Sequence, residues 1–207
     1  MRRLAYAFLL AILATGLVAA PATAESTSAR PQNLGALLGE LWTTVLELPA
    51  PENPYNGGDG CIKLQGNVVA PFSGSGVASC TVQPGTRILF SGWTSECSTF
   101  EGNGTTERQL RKCARDTDAV ISSSVTINGA SIRLRSVETK LLRISLPVDN
   151  IFEVLFPDQD FELEGLSVAH GYEYLTRPLK SGSLHIVNNV RFGDDSIKQF
   201  TTDIIVQ

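Results

Sequence analysis

The chain has 207 residues, 17 of them basic and 21 acidic, for a formal charge of −4 at pH 7. An acidic balance argues against nucleic acid, which demands a basic patch, and against anionic membrane surfaces, which attract clusters of Lys and Arg. No G-x-G-x-x-G, Walker or H-E-x-x-H pattern occurs, so the sequence assigns no cofactor, no metal site and no catalytic residue.

The N-terminus reads as an export signal. Met1-Arg2-Arg3 supplies two positive charges, Leu4 to Ala20 is an uncharged apolar run, and Ala22-Thr23-Ala24 fits the small-residue pattern that signal peptidases cut. The competing reading is a membrane anchor, but a spanning helix needs about 20 apolar residues, and this run is slightly short, with Gly16 and Pro21 near its end. The expected organisation is a signal peptide over 1–24, a flexible leader over 25–31 and a single domain over 32–207. Losing Arg2 and Arg3 leaves 15 basic and 21 acidic residues, a formal −6. No later segment is long and apolar enough to cross a bilayer. The mature form is therefore expected outside the cytoplasm, secreted to the extracellular space or the periplasm, with no membrane span.

From Gln32 to Leu48, Leu34, Leu37, Leu38, Leu41, Trp42, Val45 and Leu46 recur at three- and four-residue steps, the period of one apolar helical face. Such a stripe packs on its own domain more often than on a partner. Pro49 and Pro51 end it, and Asn53-Pro54 with Asn56-Gly57-Gly58 reads as loop. After Gly60 the texture turns to β: short runs rich in Val, Ile, Thr and aromatics, broken by Gly, Asn and Ser. Strands are expected at Ile62–Ala70, Gly76–Gln83, Arg87–Trp93, Ala119–Ile127, Ser131–Arg135, Val137–Leu146, Phe161–Val168, Gly171–Leu175, Ser183–Phe192 and Ile197–Val206. Asn128-Gly129 is the sharpest local signal, because a type I′ hairpin turn needs positive φ at both central residues. Thr105–Arg115 reads as a short helix tied down through Cys113. Ten short strands without βαβ alternation predict an all-β fold, a β-sandwich of jelly-roll or Ig-like type, with a packed N-terminal amphipathic helix and a short second helix.

Four cysteines, Cys61, Cys80, Cys97 and Cys113, are an even count in an exported chain, where disulfides are the default with three possible connectivities. Sequential pairing, Cys61–Cys80 and Cys97–Cys113, is favoured because it closes two short loops, each worth about 3 kcal/mol in the chain-entropy model. A zinc site normally includes a tight pair such as C-x-x-C, and these spacings are wide.

Three constellations could carry chemistry. Asp158, Asp160, Glu162 and Glu164 would share one face of a strand and could hold Ca²⁺, or could be a charged edge or loop that discourages aggregation. His170 and His185 are the only histidines. Either could serve a Ser-His-Asp hydrolase, although no G-x-S-x-G elbow is present. His170 with Tyr172 and Tyr174, the two tyrosines on one face, is a candidate binding patch of the kind that stacks on sugars. Asn103-Gly104-Thr105 fits the N-glycosylation pattern of a surface loop.

Trp42 followed by Pro49 and Asn53-Pro54, the run Cys80-Thr81-Val82-Gln83-Pro84-Gly85-Thr86, and Gly171-Tyr172 with Pro178-Leu179, Gly182 and Ile186 resemble a group of uncharacterised secreted bacterial β-sandwich proteins of unassigned function. Members usually read Pro-Gly-x-His after the Pro-Leu pair, whereas here Lys180-Ser181-Gly182 precedes Ser183, Leu184 and His185. The resemblance implies export and a β-sandwich and supplies no activity. With few histidines and no motif, the expected role is a non-catalytic extracellular or cell-surface binding or structural module of unknown ligand. A secreted hydrolase using His170 or His185 and a calcium-dependent binding protein are the alternatives.

Overall fold

A computed structural model of the chain describes residues 33–73, 77–119 and 121–207; the signal peptide and leader expected over 1–31 lie outside them. Helix α1 (Leu34–Glu47) starts where Asn33 caps it, its side-chain oxygen accepting from the Gly35 N–H at 3.1 Å. It buries Leu37, Leu38, Leu41, Trp42, Val45 and Leu46, each worth about 1.5–3 kcal/mol relative to exposure. These side chains form the centre of the first core cluster, with Leu89, Ile144, Phe152 and Ala169. Past the helix, fully buried Asn53 donates from Nδ2 to the Val45 carbonyl at 2.6 Å and accepts from the Tyr55 N–H at 3.1 Å, capping a short 3₁₀ helix, Pro54–Asn56, within the stretch expected as loop.

The rest is mostly strand: β1 (Cys61–Leu64), β2 (Val68–Pro71), β3 (Val77–Val82), β4 (Arg87–Ser98), β5 (Ser122–Ile127), β6 (Ala130–Ile132), β7 (Arg135–Glu138), β8 (Leu142–Ser145), β9 (Glu164–Leu175), β10 (Gly182–Arg191) and β11 (Ile197–Val206), with helices α2 (Glu107–Ala119) and α3 (Ile151–Leu155). One sheet runs β1-β2-β4-β9-β7 with β8 also paired to β9; the other runs β3-β11-β10-β5-β6. Both are mixed, since β2 and β4 pair in parallel, as do β3 and β11. A second core cluster draws Val69, Ile88 and Phe90 from the first sheet and Cys80, Val125, Ile186 and Ile204 from the other. The two disulfides are Cys61–Cys80 and Cys97–Cys113, the sequential pairing expected. Asn128 and Gly129 sit at φ 49° and 81° between β5 and β6, as the hairpin requires.

Several boundaries differ from expectation. Ile62–Ala70 is not one strand: a turn through Asn67 at φ 57° folds it into the β1–β2 hairpin. Val137–Leu146 is likewise cut into β7 and β8, because Thr139 leaves the strand to hydrogen-bond Ala169 through both backbone and side chain. Conversely, the stretches Phe161–Val168 and Gly171–Leu175 contribute to one continuous strand, β9. The second helix runs on to Ala119, so the strand expected from there begins at Ser122. Helix α3, too short to show a period, is nucleated by Asn150, whose side chain accepts from the Phe152 N–H at 3.0 Å.

The acidic alternation does not form a four-carboxylate face. Asp158, Asp160 and Glu162 lie in a loop and Glu164 alone opens β9. Pro157 follows α3, and Phe161 turns inward onto Phe152 and Phe156, with ring centroids 5.4 and 6.2 Å apart.

Candidate functional site

The long strands β4 and β9 lie side by side in antiparallel register, which sets Trp93 opposite Tyr172, Ser95 opposite His170 and Cys97 opposite Val168. Directly opposed residues of an antiparallel pair share a face, so these six line one side of the sheet. Helix α2 packs on that side, bonded to Cys97 through Cys113. Its penultimate residue is Asp118, 1% exposed.

Both Asp118 oxygens are engaged. Oδ1 accepts from the Ser95 hydroxyl at 2.5 Å and Oδ2 faces His170 Nδ1 at 2.6 Å. The other imidazole nitrogen, Nε2, is 2.9 Å from the Ser136 Oγ on β7. An ionised Asp118 can only accept, so Nδ1 carries a proton, and when the ring is neutral Nε2 accepts from Ser136. Burial raises the Asp118 carboxyl above the usual range, while the hydrogen bonds from Ser95 and His170 and the charge of His170 pull it back. The row ends at Trp93, whose indole N–H donates to Ser95 Oγ at 3.2 Å. Trp93, Ser95, Asp118, His170 and Ser136 thus form one hydrogen-bonded chain from three strands and a helix.

The same helix holds β7 in place. Arg115 Nε meets Glu138 Oε2 at 2.5 Å, and Arg111 bonds the other oxygen of that carboxylate while donating to the Thr139 carbonyl at 2.9 Å. Burial alone would raise Glu138, but the hydrogen bonds and charges of the two arginines bring it below the usual carboxylate range. Glu138 is opposite His170, and Ser136 opposite Tyr172. The helix that carries Asp118 therefore also fixes the strand that carries Ser136.

Of the residues that sequence reading singled out, His170 is central, and Tyr172 packs edge-on against it with ring centroids 5.7 Å apart. Tyr174, half-buried on the same face, lies opposite Phe90. His185 is in the other sheet, paired with Asp203 directly across from it at 2.7 Å, both more than half exposed. Among the described residues no hydroxyl meets its second nitrogen.

A second feature adjoins this row. At Ser91–Trp93 the ladder slips by one residue, and there a cleft of about 470 Å³ opens, lined by Trp42, Tyr55, Phe72, Phe90, Trp93, Phe192 and Phe200, with Ser91, Asn188 and Lys198 among its polar groups. At the slip, a Cβ on Gly92 would stand 2.2 Å from a Leu134 methyl and 2.6 Å from the Ser123 hydroxyl, so both side chains would have to shift for any larger residue. Asn188 ties the other sheet to the irregular stretch by donating to the Gly92 carbonyl at 2.5 Å. Trp42 and Trp93, the only two tryptophans of the chain, both face this cleft. Phe192 meets Trp93 edge-on at 5.1 Å, and Lys198 lies 5.8 Å from the Phe192 ring centre. Ser91 donates to Glu173 Oε2 at 2.8 Å, but Oε1 of that fully buried carboxyl meets no partner. Burial, with a smaller push from the Asp118 charge, raises Glu173 to about 8 against the Ser91 hydrogen bond. It is therefore mostly neutral at pH 7.

Sequence reasoning missed Asp118, Ser136 and the cleft aromatics. They are spread from position 42 to 200, and only long-range pairing collects them. Among the described residues no group of His, Cys, Asp or Glu is arranged to hold a metal, and no helix is long and apolar enough to cross a membrane.

No family model matches the chain, and no curated protein matches it. Among solved structures, amebosin is similar at 12% identity and a TM-score of 0.21, over 63% of this chain and 89% of its own. A family 123 glycoside hydrolase from Clostridium perfringens is similar at 14% identity and a TM-score of 0.27, over 80% of this chain and 26% of its own. The chain thus spans about a quarter of that enzyme. Overlaps this weak fix neither fold nor activity.

Proposed function

We propose that the chain is an exported binding module, a β-sandwich whose ligand site is the aromatic cleft at the β4 irregularity. Export rests on the charged start, apolar run and Ala-Thr-Ala site of the first 24 residues, and two disulfides suit an oxidising compartment. The sandwich reading is supported by the core cluster shared between the two sheets.

The observation that carries the binding reading is the concentration of aromatics, both tryptophans included, in one open cleft. Its size falls within the roughly 300–1,000 Å³ of small-molecule sites. Trp42 and Phe90 are buried, but Phe72, Trp93, Phe192 and Phe200 are only partly so, and ring faces left accessible in this way favour a ligand with a flat apolar face. Several polar groups nearby are already used internally: Thr94 accepts from the Trp42 indole, and Asn188 bonds both Gly92 and Ser123. The ligand is therefore held chiefly by stacking, with Lys198 offering a donor at the rim. The C–H face of a sugar ring with its hydroxyl edge meets these demands.

Because the cleft contains every tryptophan of the chain, intrinsic fluorescence reports on it directly. Soluble oligosaccharides are expected to shift the emission saturably, and Phe192→Ala, which keeps both reporters, should weaken binding at least tenfold. A response to small aromatic acids but not to sugars would replace the ligand class. Silence with both, or full affinity in Phe192→Ala, would end the reading.

A further inference from the structure

Beyond binding, we infer that Ser136, His170 and Asp118 form an acyl-transfer site in which Ser136 is the nucleophile toward carboxylic esters. A weak nucleophile becomes competent when a base lies within hydrogen-bond reach and a third group orients that base. Both distances are met here, 2.9 Å from Ser136 Oγ to His170 Nε2 and 2.6 Å from Nδ1 to Asp118 Oδ2. The orienting carboxylate is buried and its second oxygen is occupied by Ser95, so it cannot swing away. The nucleophile is exposed while His170 is 13% exposed, so substrate can reach the hydroxyl and the base stays sheltered. The His185–Asp203 pair has the same two groups, but it is solvent-exposed and, among the described residues, meets no hydroxyl at its second nitrogen.

The chemistry follows from the tautomer. Ser136 Oγ forms a bond to the ester carbonyl carbon as its proton passes to His170 Nε2, and the carbonyl π pair moves to oxygen. The resulting imidazolium faces Asp118, which acts through the ring as a positioning residue. Strand β7 is terminal in its sheet, so alternate N–H groups along it point outward and can donate to the oxyanion. Collapse re-forms the carbonyl and breaks the bond to the leaving oxygen, which takes the proton from Nε2. Water then attacks acyl-Ser136 with Nε2 as base, releasing the acid and restoring the hydroxyl.

The mature protein treated with a fluorophosphonate should gain one adduct, mapped by peptide mass spectrometry to Ser136. It should hydrolyse p-nitrophenyl acetate with an initial burst. Ser136→Ala, at an exposed position, should remove the adduct and cut turnover at least a hundredfold, the lower end for a positioned base and nucleophile, while Ser131→Ala should change neither. Asp118→Asn should also slow labelling and erase the far-downfield Nδ1 proton signal expected of the His170–Asp118 bond. Absence of an adduct on Ser136, or turnover unchanged in Ser136→Ala, would overturn the assignment whether or not the Asp118 variant folds. Oligosaccharide binding read by fluorescence in Ser136→Ala separates this outcome from the fate of the binding reading.

Discussion

Replacing Glu173 with glutamine should flatten the pH dependence of stability. The carboxyl is fully buried and about 8 in the folded protein against an ordinary 4.5. Between those values the folded chain holds a proton that the unfolded chain has released, so its contribution is fully present below about pH 4.5 and is lost as pH rises to about 8. Each pH unit in that window costs about 1.4 kcal/mol, for a total of about 5 kcal/mol as an upper bound. Glu96 and Glu101 are also raised by burial, so they add slope of the same sign to both proteins and cancel in the comparison. The amide brings an N–H to the position where Oε1 meets no partner, which costs about 1–3 kcal/mol regardless of pH. Glu173→Gln should therefore be the less stable protein near pH 5 and the more stable one near pH 8. Denaturant unfolding at pH 5, 6, 7 and 8 measures this directly. Parallel lines for the two proteins would refute the reasoning, because they would mean that Glu173 ionises equally in the folded and unfolded chains.

Two other outcomes follow from the fold. Cys97→Ser with Cys113→Ser should cost about 2–5 kcal/mol in thermal or denaturant unfolding, the usual range for native disulfides in small secreted domains, and should slow labelling of Ser136 because α2 is no longer tied to β4. Calcium should raise the melting temperature no more than monovalent salt of equal ionic strength, since among the described residues Asp158, Asp160, Glu162 and Glu164 do not come together as a group able to hold a metal; a true site at a hundredfold excess over its Kd would add about 2.7 kcal/mol.

What could be read in advance was local. The leucine stripe of α1, the Asn128-Gly129 turn and the two short cysteine loops each depend on residues near one another in sequence, and each is present. His170 stood out because the chain has only two histidines, yet nothing near it in sequence names Asp118 or Ser136. Asp118 lies beside Asp116 and Thr117 on a polar helix and looks like ordinary solvated surface. It becomes a buried partner only because Cys113 and the Arg111 and Arg115 contacts with Glu138 dock that helix on β4, β7 and β9. The cleft was hidden for a similar reason: the slip at Gly92 is an irregularity of cross-strand pairing, which strand periodicity does not encode. The acidic run is not a strand: Asp158, Asp160 and Glu162 lie in the loop between α3 and β9.

Strand β11 lies between β3 and β10, with residues 201–206 in parallel register against 77–82. That sheet therefore cannot close until the last strand has been delivered, however early the first has been made. Contacts so distant along the chain fold slowly, and until then β3 presents an open ladder to other chains. The Cys61–Cys80 bond bears on this interval. Once oxidised, it fastens β3 to β1, at the margin of the other sheet. Under oxidising conditions the chain can thus hold β3 in place before β11 has been delivered, and reducing conditions would leave that strand adrift.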